Sequence, residues 1–203
     1  MQAVELEVFR LEAGPRALGI MLSWLSGDEQ RRFKRLKFGR DRRRFAVARA
    51  RLRELLGARL GCRADEVKLG LGAHGKPMVL DAPELCFSLS HCDDLALVAF
   101  ARARDVGVDL EALRPLPEAD AIAARLLSPD EQRAYAGLGP AERMAALCGA
   151  WTRKEAYAKA LGSGIGSVMD APAAEDWNVE NFSPRIGYIA AVAWPREAQC
   201  VLS

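Results

Sequence analysis

A chain of 203 residues, half of them hydrophobic, can bury a real core as one large domain or two small ones, and its longest uninterrupted apolar stretch, Leu95 to Ala101, is far below the roughly 20 residues of a membrane-spanning helix. Five cysteines, odd in number and without a C-x-x-C pair, exclude a disulfide framework and a zinc site; they read as small buried hydrophobes in a reducing compartment, and with a start that alternates like a strand (MQAVELEVFRLE) they place the chain in the cytoplasm. The net charge of +2 hides a cationic stripe, Arg31 to Arg53, which holds twelve of the 29 Lys and Arg residues against one acid, Asp41; it suits a polyanionic partner (nucleotide phosphates, nucleic acid or an acidic protein surface) or a solvated helix face.

In chain order, a first strand at about Glu5 to Leu11 leads into a helical region from Asp28. A second helix follows Asp41, with Phe45, Ala48, Leu52 and Leu55 or Leu56 on one face, until Gly57 and Gly61 break the pattern. After a turn at His74 to Pro77, the segments FSLS (87 to 90), LALVAFA (95 to 101) and VGVDLE (106 to 111) read as three strands of an antiparallel meander. Ser128, Pro129 and Glu131 form a helix start with a capping box. A helix from Ala141 to Leu161 stops at Gly162 to Gly166, and strand-like pieces follow at Trp177 to Phe182 and Ile186 to Trp194. The order strand, helices, strands thus occurs twice, on either side of about residue 104. Without a low-complexity linker, two such halves pack together rather than hang on a tether.

Asp109 and Glu111, one residue apart in a strand, share a face, while Leu110 points to the opposite one. Two carboxylates this close raise each other's pKa unless a cation lies between them, and oxygen ligands favour magnesium or manganese over zinc. Alone, D-x-E also describes an exposed strand end. In WTRKEAYAKALGSG (151 to 164), Glu155 and Lys159 stand four apart on one helical face, as an ordinary helix ion pair also does, and Trp151 reads as core. In FSLSHCDD, Ser90 and His91 end a strand, where a hydroxyl and an imidazole can grip a phosphate. Adjacent strand residues point apart and no G-x-S-x-G is present, which excludes a hydrolase elbow, and two histidines build no histidine metal site. Lys76 lies in a Gly-Pro-bounded turn within reach of a phosphate, or is an ordinary turn lysine. Gly162, Gly164 and Gly166 follow a helix rather than open one and read as a stop and loop.

Taken in order, GKP (75 to 77), FSLSH (87 to 91), GVDLE (107 to 111) and WTRKEAYAKALGSG (151 to 164) closely resemble the surfactin-type family of 4′-phosphopantetheinyl transferases. The resemblance extends upstream to Glu29 through Arg44 and downstream to WNVENFSPRIGYIAAVAW, so it covers nearly the whole chain. It implies an α+β pseudo-dimer of two similar halves, each a small antiparallel sheet packed by helices. The expected division is 1–104 and 105–203, with coenzyme A in the cleft between. It further implies that Asp109, Glu111 and Glu155 bind Mg2+, with Mn2+ as the alternative, and that Lys159 neutralises charge on the pyrophosphate. Arg32, Lys76 with Pro77, Ser90 and His91 match positions that hold nucleotide phosphates; Arg44 is a further candidate and His74 adds a backbone contact. Where many members carry lysines near the first helix, this chain has Glu29 and Arg32.

The implied reaction moves the phosphopantetheine arm of coenzyme A to a serine of an apo acyl, polyketide or peptidyl carrier protein, releasing 3′,5′-ADP. Glu155 is a candidate metal ligand and a candidate base. Glu111 and the chain length separate the sequence from the short trimeric holo-carrier-protein synthases, so a monomer is expected. The competing readings are a non-catalytic coenzyme A or nucleotide binder of the same fold, which would be expected to lose Glu155 or Lys159, and a nucleic-acid binder. The latter wants stacking aromatics among its basic residues, whereas Phe33, Phe38 and Phe45 suit packing. No nucleic acid and no membrane is expected as a partner.

Overall fold

The computed structural model describes residues 4–72, 75–168 and 174–196. The first half comprises β1 (Glu5–Arg10), α1 (Pro15–Ser23), α2 (Gly27–Arg35), α3 (Gly39–Leu60), a small hairpin β2 (Leu69–Leu71) and β3 (Pro77–Val79), then β4 (Leu85–Cys92) and β5 (Leu95–Arg102). The second comprises β6 (Gly107–Ala112), α4 (Ala119–Leu126), α5 (Pro129–Ala136), α6 (Pro140–Leu161), β7 (Trp177–Phe182) and β8 (Tyr188–Pro195). Each half closes the same way: its last strand lies in the middle of a three-stranded antiparallel sheet, in the orders β1-β5-β4 and β6-β8-β7. Each also carries one 22-residue helix, α3 or α6, that ends on a glycine in the left-handed region, Gly61 at φ 70° and Gly162 at φ 71°. Glycine takes that conformation without the Cβ clash that other residues meet. The α+β pseudo-dimer is thus the architecture observed.

Alternation along the central strands sets the layers. On β5, Val98 and Phe100 pack with Leu52 and Leu56 of α3, while Leu97, Ala99 and Ala101 pack with Val108, Leu110 and Val192 of the other half. On β8, Ala190 and Val192 face the first sheet, and Ala191 and Ala193 face Ala156 and Ala160 of α6. The two sheets therefore lie back to back between α3 and α6, and this is why LALVAFA reads as an unbroken apolar run: a middle strand is covered on both faces. At ~25 cal/mol per Å2 of apolar surface, this shared interior is what fuses the halves.

Local chemistry fixes the helix starts. Ser26 and Glu29 cap α2 reciprocally, as Ser128 and Glu131 cap α5, where Pro129 opens the helix. Four expectations need correction. Helix α1 precedes the helical region that the sequence suggested. The meander ends at β5, because β6 pairs with β8 in the other sheet. Gly57 is an interior residue of α3, needed because a Cβ there would come within 2.7 Å of the Cys62 carbonyl oxygen. Finally, Cys62 and Phe38 are exposed, Phe38 at 70%, rather than packed. Among the described residues, no helix is long and apolar enough to cross a membrane.

Candidate active site

The open edges of the two sheets, β4 and β6, lie side by side and are joined through side chains. The row of β4 that faces the second half presents Ser88, Ser90 and Cys92. The Ser88 hydroxyl accepts the Val108 amide proton at 3.1 Å, the Ser90 hydroxyl meets Asp109 Oδ1 at 2.8 Å, and the Cys92 Sγ stands 3.5 Å from Glu111 Oε2. On the other side of β6 runs α6, whose Lys159 Nζ donates to Asp109 Oδ1 at 2.6 Å and to Ser90 Oγ at 3.1 Å. Strand pleat and helix pitch thus bring Asp109, Glu111, Glu155 and Lys159 to one seam, as D-x-E and E-x-x-x-K required.

The electrostatics are those of an anionic cluster without enough counter-charge. Asp109 is 5% exposed, and among the described residues its buried Oδ2 has no hydrogen-bond partner. An orphaned carboxylate oxygen in the interior is costly. Burial raises the Glu111 pKa above its ordinary value, and Asp109 adds to this. Burial likewise raises that of Glu155; Lys159 opposes the shift, while Asp109 and Glu111 reinforce it. Burial and the neighbouring acids push the Cys92 thiol up to about 11, so it stays protonated as a weak donor to Glu111.

Among the described residues no three His, Cys, Asp or Glu side chains stand as a preassembled metal cage. The donor set nonetheless fits a hard divalent cation, since magnesium takes one or two protein carboxylates and completes its shell from water and phosphate oxygens. Asp109 Oδ2 is the available ligand atom, with Glu111 and Glu155 beside it.

Next to this cluster a groove of about 320 Å3 opens between the halves, lined by Arg49, Lys76, Pro77, Leu89, Glu155 and Lys159, among others. Gly162 and Gly164 of the loop after α6 also line it, so the segment read only as a helix stop forms part of its wall. The end of β4 is cationic. His91 is open to solvent at the surface, yet packing around its ring and then the positive charges of Lys159, Arg44 and Arg32 lower its pKa. Arg32 lies over the Phe45 ring at 5.5 Å. Lys76 turns back on the protein, donating to Asp105 Oδ1 and to the Ala160 carbonyl at 2.6 Å each, and so ties the hairpin turn to the second half. His74 lies outside the described residues.

Several charges of the basic stripe are structural. Glu29 is buried and receives Arg49 Nε at 2.5 Å and Arg53 Nε at 2.8 Å. Burial raises its pKa, but Arg49, the Ser26 amide and Arg53 outweigh that and hold it below the ordinary value. Glu131 is similarly held by Ser128 and by Arg153 at 2.9 Å, and Trp151 packs in the cluster under α4 and α5. Sequence reasoning did not single out Arg49 or Ser88. Arg49 was one of twelve like charges, and Ser88 is visible only as the serine two before Ser90 on the same strand face.

Comparison with known proteins finds one family along both halves. The profile described as "4′-phosphopantetheinyl transferase, N-terminal" matches residues 12–103, and that of the 4′-phosphopantetheinyl transferase superfamily matches residues 105–199. The 4′-phosphopantetheinyl transferase HetI of Nostoc sp. is 36% identical over 184 residues, 83% of this chain and 78% of that protein. The 4′-phosphopantetheinyl transferase psf-1 of Bacillus pumilus is 31% identical over 143 residues, 70% of this chain and 60% of its own length. The 4′-phosphopantetheinyl transferase Sfp of Bacillus subtilis is 22% identical over 150 residues, 74% of this chain and 66% of its own.

Proposed function

The chain belongs to the 4′-phosphopantetheinyl transferase superfamily and is an enzyme of that kind, and from that premise we propose that it transfers the phosphopantetheine arm of coenzyme A to a serine of an apo acyl, polyketide or peptidyl carrier protein, releasing 3′,5′-ADP with the help of Mg2+. The observation that carries this reading is Asp109 Oδ2, buried and unpartnered among the described residues, beside a groove between the halves that Lys76, Glu155 and Lys159 line. A divalent metal held there and a phosphorylated nucleotide in the groove would account for both parts of the site.

In this reading Asp109, with Glu111 and Glu155, would hold the metal, and Arg32, Arg44 and His91 together with the Lys76 turn would hold the nucleotide phosphates. Bound magnesium supplies charge neutralisation on the pyrophosphate oxygens. The carrier serine oxygen attacks the phosphorus that bears pantetheine, the bond to the bridging pyrophosphate oxygen breaks, and 3′,5′-ADP leaves with that electron pair. Lys159, already directed at Asp109 from α6, offsets the negative charge that develops on the leaving oxygen. Glu155 is also the candidate to receive the serine proton. The repeated strand order supports a division at 104/105, with each half supplying one wall; the chain acts as a monomer in the cytoplasm.

The test is intact mass spectrometry of apo carrier proteins incubated with the chain, coenzyme A and Mg2+. The expected result is a gain of one phosphopantetheine, abolished by EDTA. If none of several carriers gains mass while coenzyme A still binds, the transfer reading fails in favour of a non-catalytic binder.

A further inference from the structure

Ser90 belongs to a motif whose resemblance assigns it to the nucleotide phosphates, yet its hydroxyl is committed elsewhere. It is 8% exposed, its Oγ contacts Asp109 Oδ1 at 2.8 Å, and it lies 3.1 Å from Lys159 Nζ. An ammonium can only donate, so Ser90 accepts from Lys159 and has its single proton free to donate to Asp109. Asp109 Oδ1 therefore receives two donors, Ser90 and Lys159, while Oδ2 receives none from the described residues. Such an arrangement fixes the carboxylate rotamer and saturates one oxygen, leaving the other buried and unpaired among the described residues.

We propose that Ser90 is a positioning residue for the metal carboxylate: from β4 of the first half it holds Asp109 of the second so that Oδ2 is presented to the divalent cation. The role rests on the metal assignment of the preceding section and adds a residue to it. It also gives a physical reason for the pseudo-dimer seam, because the ligand sits on one half and its holder on the other. Cys92 acts alike but more weakly on Glu111, across 3.5 Å. Such outer partners of metal ligands are worth ~10–100-fold in metal affinity.

The experiment uses the full chain saturated with coenzyme A and reads Mn2+ binding from the loss of the free-ion electron paramagnetic resonance signal. Coenzyme A affinity is measured separately by calorimetry in EDTA. Ser90→Ala is expected to weaken Mn2+ binding about 10-fold and to leave coenzyme A affinity in EDTA unchanged, while Ser90→Thr, which restores a hydroxyl, recovers Mn2+ binding. Unchanged Mn2+ affinity in Ser90→Ala overturns the proposal. So does a loss of coenzyme A affinity in EDTA, which makes Ser90 a phosphate contact. If Ser90→Ala does not melt cooperatively, Ser90→Cys keeps the volume with a weak donor; a comparable loss supports the role, and wild-type Mn2+ affinity in it overturns the role. Neither readout needs a carrier. A chain that shows the Mn2+ loss but modifies no carrier keeps the positioning role and loses the transfer reading. One that modifies a carrier while Ser90→Ala binds Mn2+ normally does the reverse.

Discussion

Gly107 lies so tightly against Ala156 that a Cβ on the glycine would stand 1.9 Å from the Ala156 carbonyl oxygen and 2.5 Å from the Ala160 amide nitrogen. This contact sets β6 directly on α6, and it lets Asp109, two residues along the strand, reach Lys159, three residues along the helix. Gly107→Ala has no flexible side chain to displace, so the helix must move off the strand. Overpacking of this kind costs about 1–3 kcal/mol, or a melting temperature lower by about 3–10 °C. The expected result is that loss together with weakened metal binding, measured by thermal melts and Mn2+ titration. A variant with wild-type melting and metal affinity would show that the helix has room to shift.

Asp109→Asn separates the charge of this carboxylate from its shape. The amide oxygen can still accept from Ser90 and Lys159, so melting should change little, but the anion at the buried Oδ2 position is gone. Transfer activity should drop ~100-fold or more, the scale of losing one fixed electrostatic group. Activity within a few fold of wild type at saturating Mg2+ would mean that the cation sits elsewhere.

Much of this seam was legible from residue spacing. The pairs Asp109 with Glu111 and Glu155 with Lys159 obey local periods of two and four, and local periods survive folding. The division of labour between strands did not show. VGVDLE follows LALVAFA directly and reads as its hairpin partner, yet β6 pairs with β8, some 80 residues on, because the apolar row Val108 and Leu110 is needed against the other sheet. Likewise, spacing offered Ser90 and Lys76 to phosphate, and only three-dimensional contacts reveal Ser90 on Asp109 and Lys76 on Asp105 and Ala160. Nothing in a run of twelve basic residues marks Arg49 and Arg53 as the pair that Glu29 captures.

The raised pKa of Glu155 has a signed consequence for the metal-free chain. An acid whose pKa is higher folded than unfolded binds its proton more readily in the folded state, so its ionised form destabilises the fold. That penalty is fully present above the raised folded value and disappears as pH falls through it to the ordinary carboxylate value. Glu155→Gln removes the charge outright. The variant should melt about 1–3 °C above wild type at neutral pH, a small effect because the side chain is partly solvated. The gap should close on acidification, and Mg2+ should narrow it at neutral pH by stabilising the wild type alone. A gap that widens in acid would contradict the assigned shift, and transfer activity should be lost in the variant at every pH.

Glu29 carries the opposite sign and a larger stake. Its carboxylate joins α2 to α3 by receiving both Arg49 and Arg53, and Arg53 is 3% exposed, so the arginine has no water to turn to. Removing one partner of such a pair leaves a buried charge uncompensated, at about 3–5 kcal/mol. Glu29→Gln should therefore lower the denaturation midpoint sharply, and adding Arg53→Met should recover part of the loss; a double-mutant cycle should give a coupling of about 1–3 kcal/mol. Because the folded pKa of Glu29 is held below its ordinary value, its contribution is present above that ordinary value and fades as pH falls through the folded one. The cycle coupling should shrink in acid accordingly. Additive single-mutant effects at neutral pH would mean that Glu29 serves the groove rather than the fold, and would return this position to the nucleotide.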